Sequence, residues 1–343
     1  MIISDLQQLA QYCNEPAAAG QLFILTDDNV ARHCLSDRHS LTQHVPTLTI
    51  PTGEQHKNLT TVQTIWDFLF AHNATRQALL LNIGGGVISD LGGFAAATYK
   101  RGIRFFNLPT TLLSMVDAAF GGKTGCNYHN IKNAIGTFTQ PYQTLIYPPF
   151  LNTLPAHEWL SGFAEMLKYA LIADTKLWQL LINYDIANPE ATSITPLLQQ
   201  CLCIKQHIVQ NDPMEQGLRH TLNFGHTVGH AIEETYTQQN LTTRHGYCVL
   251  YGMIAELYLS VVCLDCPRTP LQQLTQLMLQ YYGRPTCNCR QQSELLTLMR
   301  QDKKNDTPNQ INFTLLRNIG VPLINQTPPE SLINEGLDYL FSI

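Results

Sequence analysis

Residues 1–154 predict an α/β domain built on a parallel sheet, and residues 155–343 an all-α domain. Three observations carry this expectation. At 343 residues the chain exceeds what one hydrophobic core usually supports, so two cores are expected. As far as about residue 150, short apolar runs alternate with stretches of helical spacing, the pattern of a parallel sheet covered by helices. Beyond Pro155, apolar residues recur at helical spacing over long stretches and strand candidates become rare.

In chain order, Leu22–Leu25 reads as a strand that runs into the turn Thr26-Asp-Asp-Asn29. A second strand, Thr47–Ile50, ends at Pro51-Thr-Gly53. From Thr60 to His72 the spacing of Val62, Ile65, Phe68 and Leu69 predicts a helix. Ala78–Leu81 is a buried strand, followed by Gly84-Gly-Gly86 and a helix over Ile88–Tyr99. Ile103–Phe106 and Gln143–Ile146 complete the strand set. In the second domain, Glu158–Ala173, Ile194–Gln210, Thr227–Tyr236 and Tyr247–Val262 fit helices, while Gln310–Leu316 reads as an isolated strand-pair element. The cleft between two such domains is the expected ligand site.

Composition excludes several classes. A formal charge of −5 argues against a nucleic-acid partner, since phosphate backbones call for a basic surface. The start Met1-Ile-Ile-Ser-Asp lacks the basic residues and apolar stretch of a signal peptide. No run of about 18 apolar residues stands out, so no membrane span and a cytoplasmic protein are expected. Ten cysteines in a chain this long do not suggest a disulfide scaffold. Cys263, Cys266, Cys287 and Cys289 have zinc-like spacing, but Cys263 closes an apolar run in which cysteine acts as a small hydrophobe.

The chemistry-bearing residues fall into three groups. Gly84-Gly-Gly-Val-Ile-Ser-Asp90 follows a strand and opens a helix, where bare backbone N–H groups suit a phosphate. It is not the GxGxxG pattern, and a plain glycine turn would look the same. Asp27-Asp28-Asn29 at the end of the first strand, with Glu54 and Lys57 after the second, tips the reading toward a Rossmann-like nucleotide-binding domain. Second, His226 and His230 lie four apart on one helical face, with His245 and Glu165 elsewhere in the domain. Two imidazoles and a carboxylate would suit zinc with an open position, although a lone histidine is more often simply half-buried. Third, Arg101, Lys123, Lys132, Lys168, Lys205, Arg219 and Lys303-Lys304 stand in apolar or glycine-rich surroundings and suit a phosphorylated, carboxylated substrate.

The stretch Pro109-Thr-Thr-Leu-Leu-Ser-Met-Val-Asp-Ala-Ala-Phe-Gly-Gly-Lys-Thr-Gly125 resembles the core motif of the 3-dehydroquinate synthases. Lys132–Gly136, Gly162–Lys168, Glu215–Arg219 and Leu222–His230 are similar in order and approximate spacing, so the resemblance spans roughly Asp27 to Lys304. It implies a dehydroquinate synthase-like fold. It also implies that Glu165, His226 and His245 hold catalytic zinc, or cobalt in its place. NAD would be held by Asp27, Asn29, Glu54, Lys57, Gly85, Gly86, Val87, Asp90, Thr110, Thr111, Asp117, Lys132 and Asn133. A seven-carbon phosphorylated keto acid would meet Lys123, Asn133, Lys168, Lys205, Arg219, Asn223, His230 and Lys303 or Lys304, with Glu215 nearby. Arg101 is similar to the arginine that reaches a neighbouring subunit's site, which implies a homodimer.

The implied reaction passes a hydride from a secondary alcohol to NAD, which acidifies the adjacent C–H so that phosphate is eliminated, then returns the hydride, and the ring opens and closes again by an intramolecular aldol step. No net NADH would appear. Other sugar-phosphate cyclases and metal-dependent polyol dehydrogenases are the alternatives, and a non-catalytic NAD and zinc binder is a third. One departure matters: where the family commonly has Glu after the third ligand's His-Gly, this chain has Tyr247. Either its hydroxyl orients His245 or another group does.

Overall fold

The computed structural model describes residues 1–35, 44–129, 131–239, 241–286, 289–301 and 310–343. They form two compact units: Met1–Trp159 with Glu190–Thr195, and Leu160–Pro189 with Pro196–Ile343.

Unit 1 opens with helix α1 (Gln7–Ala18), then β1 (Leu22–Asp27), α2 (Asp28–Cys34), β2 (Thr47–Ile50), α3 (Leu59–Ala71), β3 (Leu79–Gly84), α4 (Gly86–Thr98) and β4 (Arg104–Pro109). An antiparallel pair, β5 (Lys123–Tyr128) and β6 (Ile131–Phe138), precedes the short β7 (Gln143–Thr144). Five strands form one sheet in the order β2-β1-β3-β4-β7, with every pair parallel. Covered on both faces, β1 and β3 are buried for almost their whole length and mostly apolar. Phe23, Leu25, Ile65, Leu69, Leu80, Leu91 and Phe105 belong to the core on one of these faces. The chain leaves β1 on one side to make β2 and returns on the other to make β3. That switch sets the carboxyl ends of β1 and β3 beside the crevice where open α/β sheets bind ligands.

The pair β5–β6 was not expected from the sequence. Its residues alternate poorly, and glycine there reads as turn. The glycines serve close pairing instead: a Cβ on Gly136 would lie 2.1 Å from the Thr124 carbonyl oxygen.

Unit 2 carries most of α5 (Ala156–Ala173), then α6 (Thr175–Ile182) and all but the start of α7 (Ala191–Asn211). It continues with α8 (His226–Gln238), α9 (His245–Leu264), α10 (Arg268–Leu277), α11 (Cys289–Arg300), the antiparallel pair β8 (Phe313–Asn318) and β9 (Val321–Gln326), and α12 (Glu330–Ser342). The hairpin corrects the all-α expectation to a helix-rich unit. It is anchored where the Leu316 N–H donates to Ser260 Oγ on α9 at 2.9 Å.

Helix α9 is long and apolar enough to cross a membrane by length and composition alone. Most of it is buried inside unit 2, with Val249, Leu250, Met253, Ile254 and Leu257 fully covered. Its hydrophobicity is that of a central core helix.

Candidate active-site residues

In unit 1 the expected nucleotide residues gather at the carboxyl ends of the strands. Asp27 ends β1 and caps α2, its Oδ1 accepting the Val30 N–H at 2.9 Å. Burial pushes its carboxyl up, opposed by that N–H. The capping reading and the ribose reading therefore share one carboxylate, with Asn29 in the turn it caps. Gly84 ends β3, and α4 begins without a side-chain cap at Gly85. A Cβ on Gly85 would meet Thr111 Cγ2 at 3.3 Å and one on Gly86 would meet Ala118 Cβ at 3.2 Å. The first turn of α4, with Gly86 and Val87, thus offers N–H groups where Thr111 and Ala118 leave little room for a side chain at Gly85 or Gly86, a tight cradle that fits a diphosphate.

Next to it, Lys57 is buried, with Nζ 2.5 Å from Asp90 Oδ2 and 2.5 Å from Asn133 Oδ1. Burial alone would discharge this amine, but Asp90 and Glu54 outweigh it and hold Lys57 protonated beyond its ordinary range. Asn133 sits at φ +50° in β6, its N–H bonded to Asn127 Oδ1, and Asn127 also donates to Glu54 Oε1. Asn127 was not singled out from the sequence, because an asparagine in a glycine-rich strand gives no pattern. Thr110 closes onto the Gly84 carbonyl through its N–H, and Thr111 Oγ1 accepts the Ser114 N–H. That bond starts the π-helical turn Ser114–Ala118, which carries Asp117. Lys123 is exposed after two left-handed glycines, and Lys132 is half-buried in β6. Arg101 is exposed at φ +70°, the second of two adjacent non-glycine residues in the left-handed region.

In unit 2, α5, α8 and α9 bring one carboxylate and two imidazoles together. Glu165 on α5 is fully buried. Its Oε1 lies 3.5 Å from His226 Nε2 and 3.4 Å from His245 Nε2, and its Oε2 lies 2.5 Å from Lys168 Nζ. Ligands about 2.0–2.2 Å from a tetrahedral ion stand about 3.3–3.5 Å apart, so this donor set fits zinc or cobalt. His226 Nδ1 lies 3.1 Å from the Phe224 carbonyl oxygen and His245 Nδ1 3.2 Å from Glu233 Oε2, so each Nδ1–H has an acceptor and, with an ion bound, each Nε2 would be free to face it. Burial by itself disfavours an imidazolium at His245, but Glu233 and Glu165 outweigh it and raise its pKa to about 10. His230 joins the two other histidines, the three ligand nitrogens lying within 4.8 Å of one another. It is exposed, which suits an exchangeable partner better than a closed ligand shell.

Glu233 answers the question raised by Tyr247. The carboxylate facing His245 comes from α8, and the Tyr247 ring instead packs edge-on against Tyr282 at 4.9 Å. Of the expected cations, Lys168, Lys205 and Arg219 are buried in this unit. Arg219 donates to the Pro213 carbonyl, and its loop is tied by Asp212, whose carboxylate accepts the N–H groups of Gln216, Gly217 and Arg219. Those bonds, that of Gln216 first, hold the Asp212 carboxyl below its usual range. Glu215 sits in the same loop at φ +59°, and Asn223 lines a small polar cavity with His220, Thr227 and Thr314. Lys303, Lys304 and Cys287 lie outside the described residues. Cys263 is exposed and Cys266 buried near the end of α9.

Against known proteins, a family model described as 3-dehydroquinate synthase N-terminal matches residues 47–161, and one described as 3-dehydroquinate synthase C-terminal matches 162–305. The chain belongs to the 3-dehydroquinate synthase family. A 3-dehydroquinate synthase of Parabacteroides distasonis is 40% identical, over 99% of this chain and 96% of that one. Among solved structures, the 2-epi-5-epi-valiolone synthase of Streptomyces hygroscopicus, with NAD+ and Zn2+ bound, has a TM-score of 0.83 at 25% identity, covering 100% of this chain and 96% of that one. A 2-deoxy-scyllo-inosose synthase complexed with carbaglucose-6-phosphate, NAD+ and Co2+ shares the fold, with a TM-score of 0.79 at 21% identity over 92% and 89% of the chains. The 3-dehydroquinate synthase family thus accounts for both the parallel sheet and the helix-rich unit.

Proposed function

We propose that the chain converts 3-deoxy-D-arabino-heptulosonate 7-phosphate to 3-dehydroquinate and phosphate, as a lyase of the shikimate pathway. The carrying observation is the Glu165–His226–His245 group, at metal-ligand spacing in the same unit as the buried cations Lys168, Lys205 and Arg219. When bound, NAD accepts and returns a hydride and the divalent ion polarises the alcohol oxygen. Glu165, His226 and His245 hold the ion. The Phe224 carbonyl and Glu233 keep the two rings aimed. The start of α4 receives the cofactor's diphosphate, and Asp27, Glu54, Lys57, Asp90, Thr110, Thr111, Asp117, Lys132 and Asn133 fix the rest of NAD.

Lys123, Asn133, Lys168, Lys205, Arg219 and Asn223 bind the substrate's charged and hydroxyl groups. Exposed His230 binds at the phosphate, which itself assists removal of the adjacent proton, so the side chains chiefly position and polarise. Lys303 or Lys304 and Glu215 complete the substrate set in this reading. We also hold the protein to be a cytoplasmic homodimer with neither nucleic-acid nor membrane partners. The free thiols of the described cysteines suit a reducing compartment, and exposed Arg101 would serve the neighbouring subunit.

Glu165→Gln and His245→Ala test this assignment. Both are expected to lose metal-dependent phosphate release by at least about a hundredfold while NAD affinity stays within about twofold. Turnover at the wild-type rate in either variant would refute the metal assignment.

A further inference from the structure

Helices α8 and α9 meet backbone to backbone. A Cβ on Gly229 would lie 2.8 Å from the Cys248 carbonyl oxygen, and one on Gly252 would lie 2.0 Å from that of Gly225. Gly225, the residue before α8, sits at φ +79° and has no side chain with which to cap the helix. The cap comes from α9 instead. Glu256 is fully buried, and its Oε2 accepts the Gly225 N–H at 2.6 Å while Oε1 accepts the Val228 N–H at 3.4 Å. These donors flank His226. They belong to a helix start whose N–H groups lack intrahelical partners and whose dipole favours a negative charge. Eleven residues separate His245 from Glu256, about three turns plus 20°, so both lie on one face of α9. The helix that presents one imidazole therefore also grips the backbone of the other.

We infer that Glu256 is a positioning residue for the metal centre, fixing His226 relative to His245 through the start of α8. Its charge is part of that role. A buried carboxylate bonded to the N–H groups of Gly225 and Val228, one residue before and two after His226, holds the ring in place and adds negative potential for a dication. A glutamine amide keeps one acceptor oxygen for the shorter Gly225 bond and gives up the charge together with the longer Val228 bond, so the thermal midpoint reads the loss to the cap and metal affinity reads the loss to the site. The inference rests on the metal reading above and adds to it a residue that touches neither ion nor substrate.

The test uses Glu256→Gln in the full chain, with His226→Ala as reference. The readouts are Zn2+ and Co2+ affinity by chelator competition, the visible spectrum of bound Co2+, NAD affinity and the thermal midpoint. Glu256→Gln is expected to stay folded with NAD affinity within about twofold, to lose metal affinity about 10–100-fold, and to shift the Co2+ bands. Wild-type affinity with unchanged Co2+ bands would overturn the inference while leaving the metal reading intact, provided His226→Ala loses the ion. If His226→Ala binds the ion as tightly as wild type, the metal reading fails and the inference with it. Should Glu256→Gln not fold, Glu256→Asp carries the test, since it keeps the charge but retracts it by one methylene. An unchanged affinity and spectrum there would equally overturn the role.

Discussion

At the metal group, each side chain is prepared by its neighbours. His245 stands between the carboxylates of Glu165 and Glu233 and carries a pKa of about 10, so near neutrality it holds a proton that an incoming ion must displace. Apparent metal affinity should therefore rise with pH, by about tenfold per unit where this one proton dominates, and level off only near the raised pKa. Glu233→Gln removes one of the two charges that hold the proton. Its affinity should level off at a lower pH, and the plateau should fall about 10–100-fold because the ring loses its strongest anchor. Chelator competition across pH measures both effects; a variant curve that overlays the wild type would refute the role. The histidines and Glu165 were legible in the sequence because their types and order carry meaning. Glu233 and Glu256 were not, since a glutamate on an apolar helix reads as an ordinary solvated charge until the facing element is known. Nor could spacing tell whether Lys168 serves a substrate, given that it already pairs with Glu165.

At the scale of elements, glycine decides where backbones meet. In unit 1, Gly92 on α4 packs over the buried amide of Asn82 on β3; a Cβ there would lie 1.9 Å from Asn82 Oδ1. Asn82 in turn donates to Asn107 on β4, and Asn107 to the Ala119 carbonyl just after the turn that carries Asp117. Gly92→Ala is expected to destabilise by about 1–3 kcal/mol through overpacking. Combining it with Asn82→Ala should recover part of that loss in a double-mutant cycle followed by chemical denaturation. Strict additivity would show that the two positions do not touch. The strands β1 to β4 and the long helices were legible because their periodicities are strong. The pair β5–β6 was not, because its lysine, asparagine and glycine content hides the alternation and its Gly125–Gly136 contact depends on a partner strand. For α9 the hydropathy pattern was equally mute about setting, since a core helix and a membrane span differ only in what surrounds them.

For the whole molecule, the division into a sheet unit and a helix-rich unit follows from chain length and from the change of period near Pro155. The chemistry follows from the order of motifs that the two units carry. Residue types alone left a nucleotide site and a metal site as separate possibilities; several long motifs in sequence joined them into one reaction. That reaction has a stoichiometry no dehydrogenase of the same fold shares, because the hydride removed from the substrate is returned to it. The decisive measurement is turnover of 3-deoxy-D-arabino-heptulosonate 7-phosphate by the purified chain with NAD and zinc or cobalt, against a chelator control. Metal-dependent phosphate release matched one to one by 3-dehydroquinate, with no accumulation of NADH, is the expected result. Absence of phosphate release with NAD and metal demonstrably bound, or steady accumulation of NADH, would contradict it.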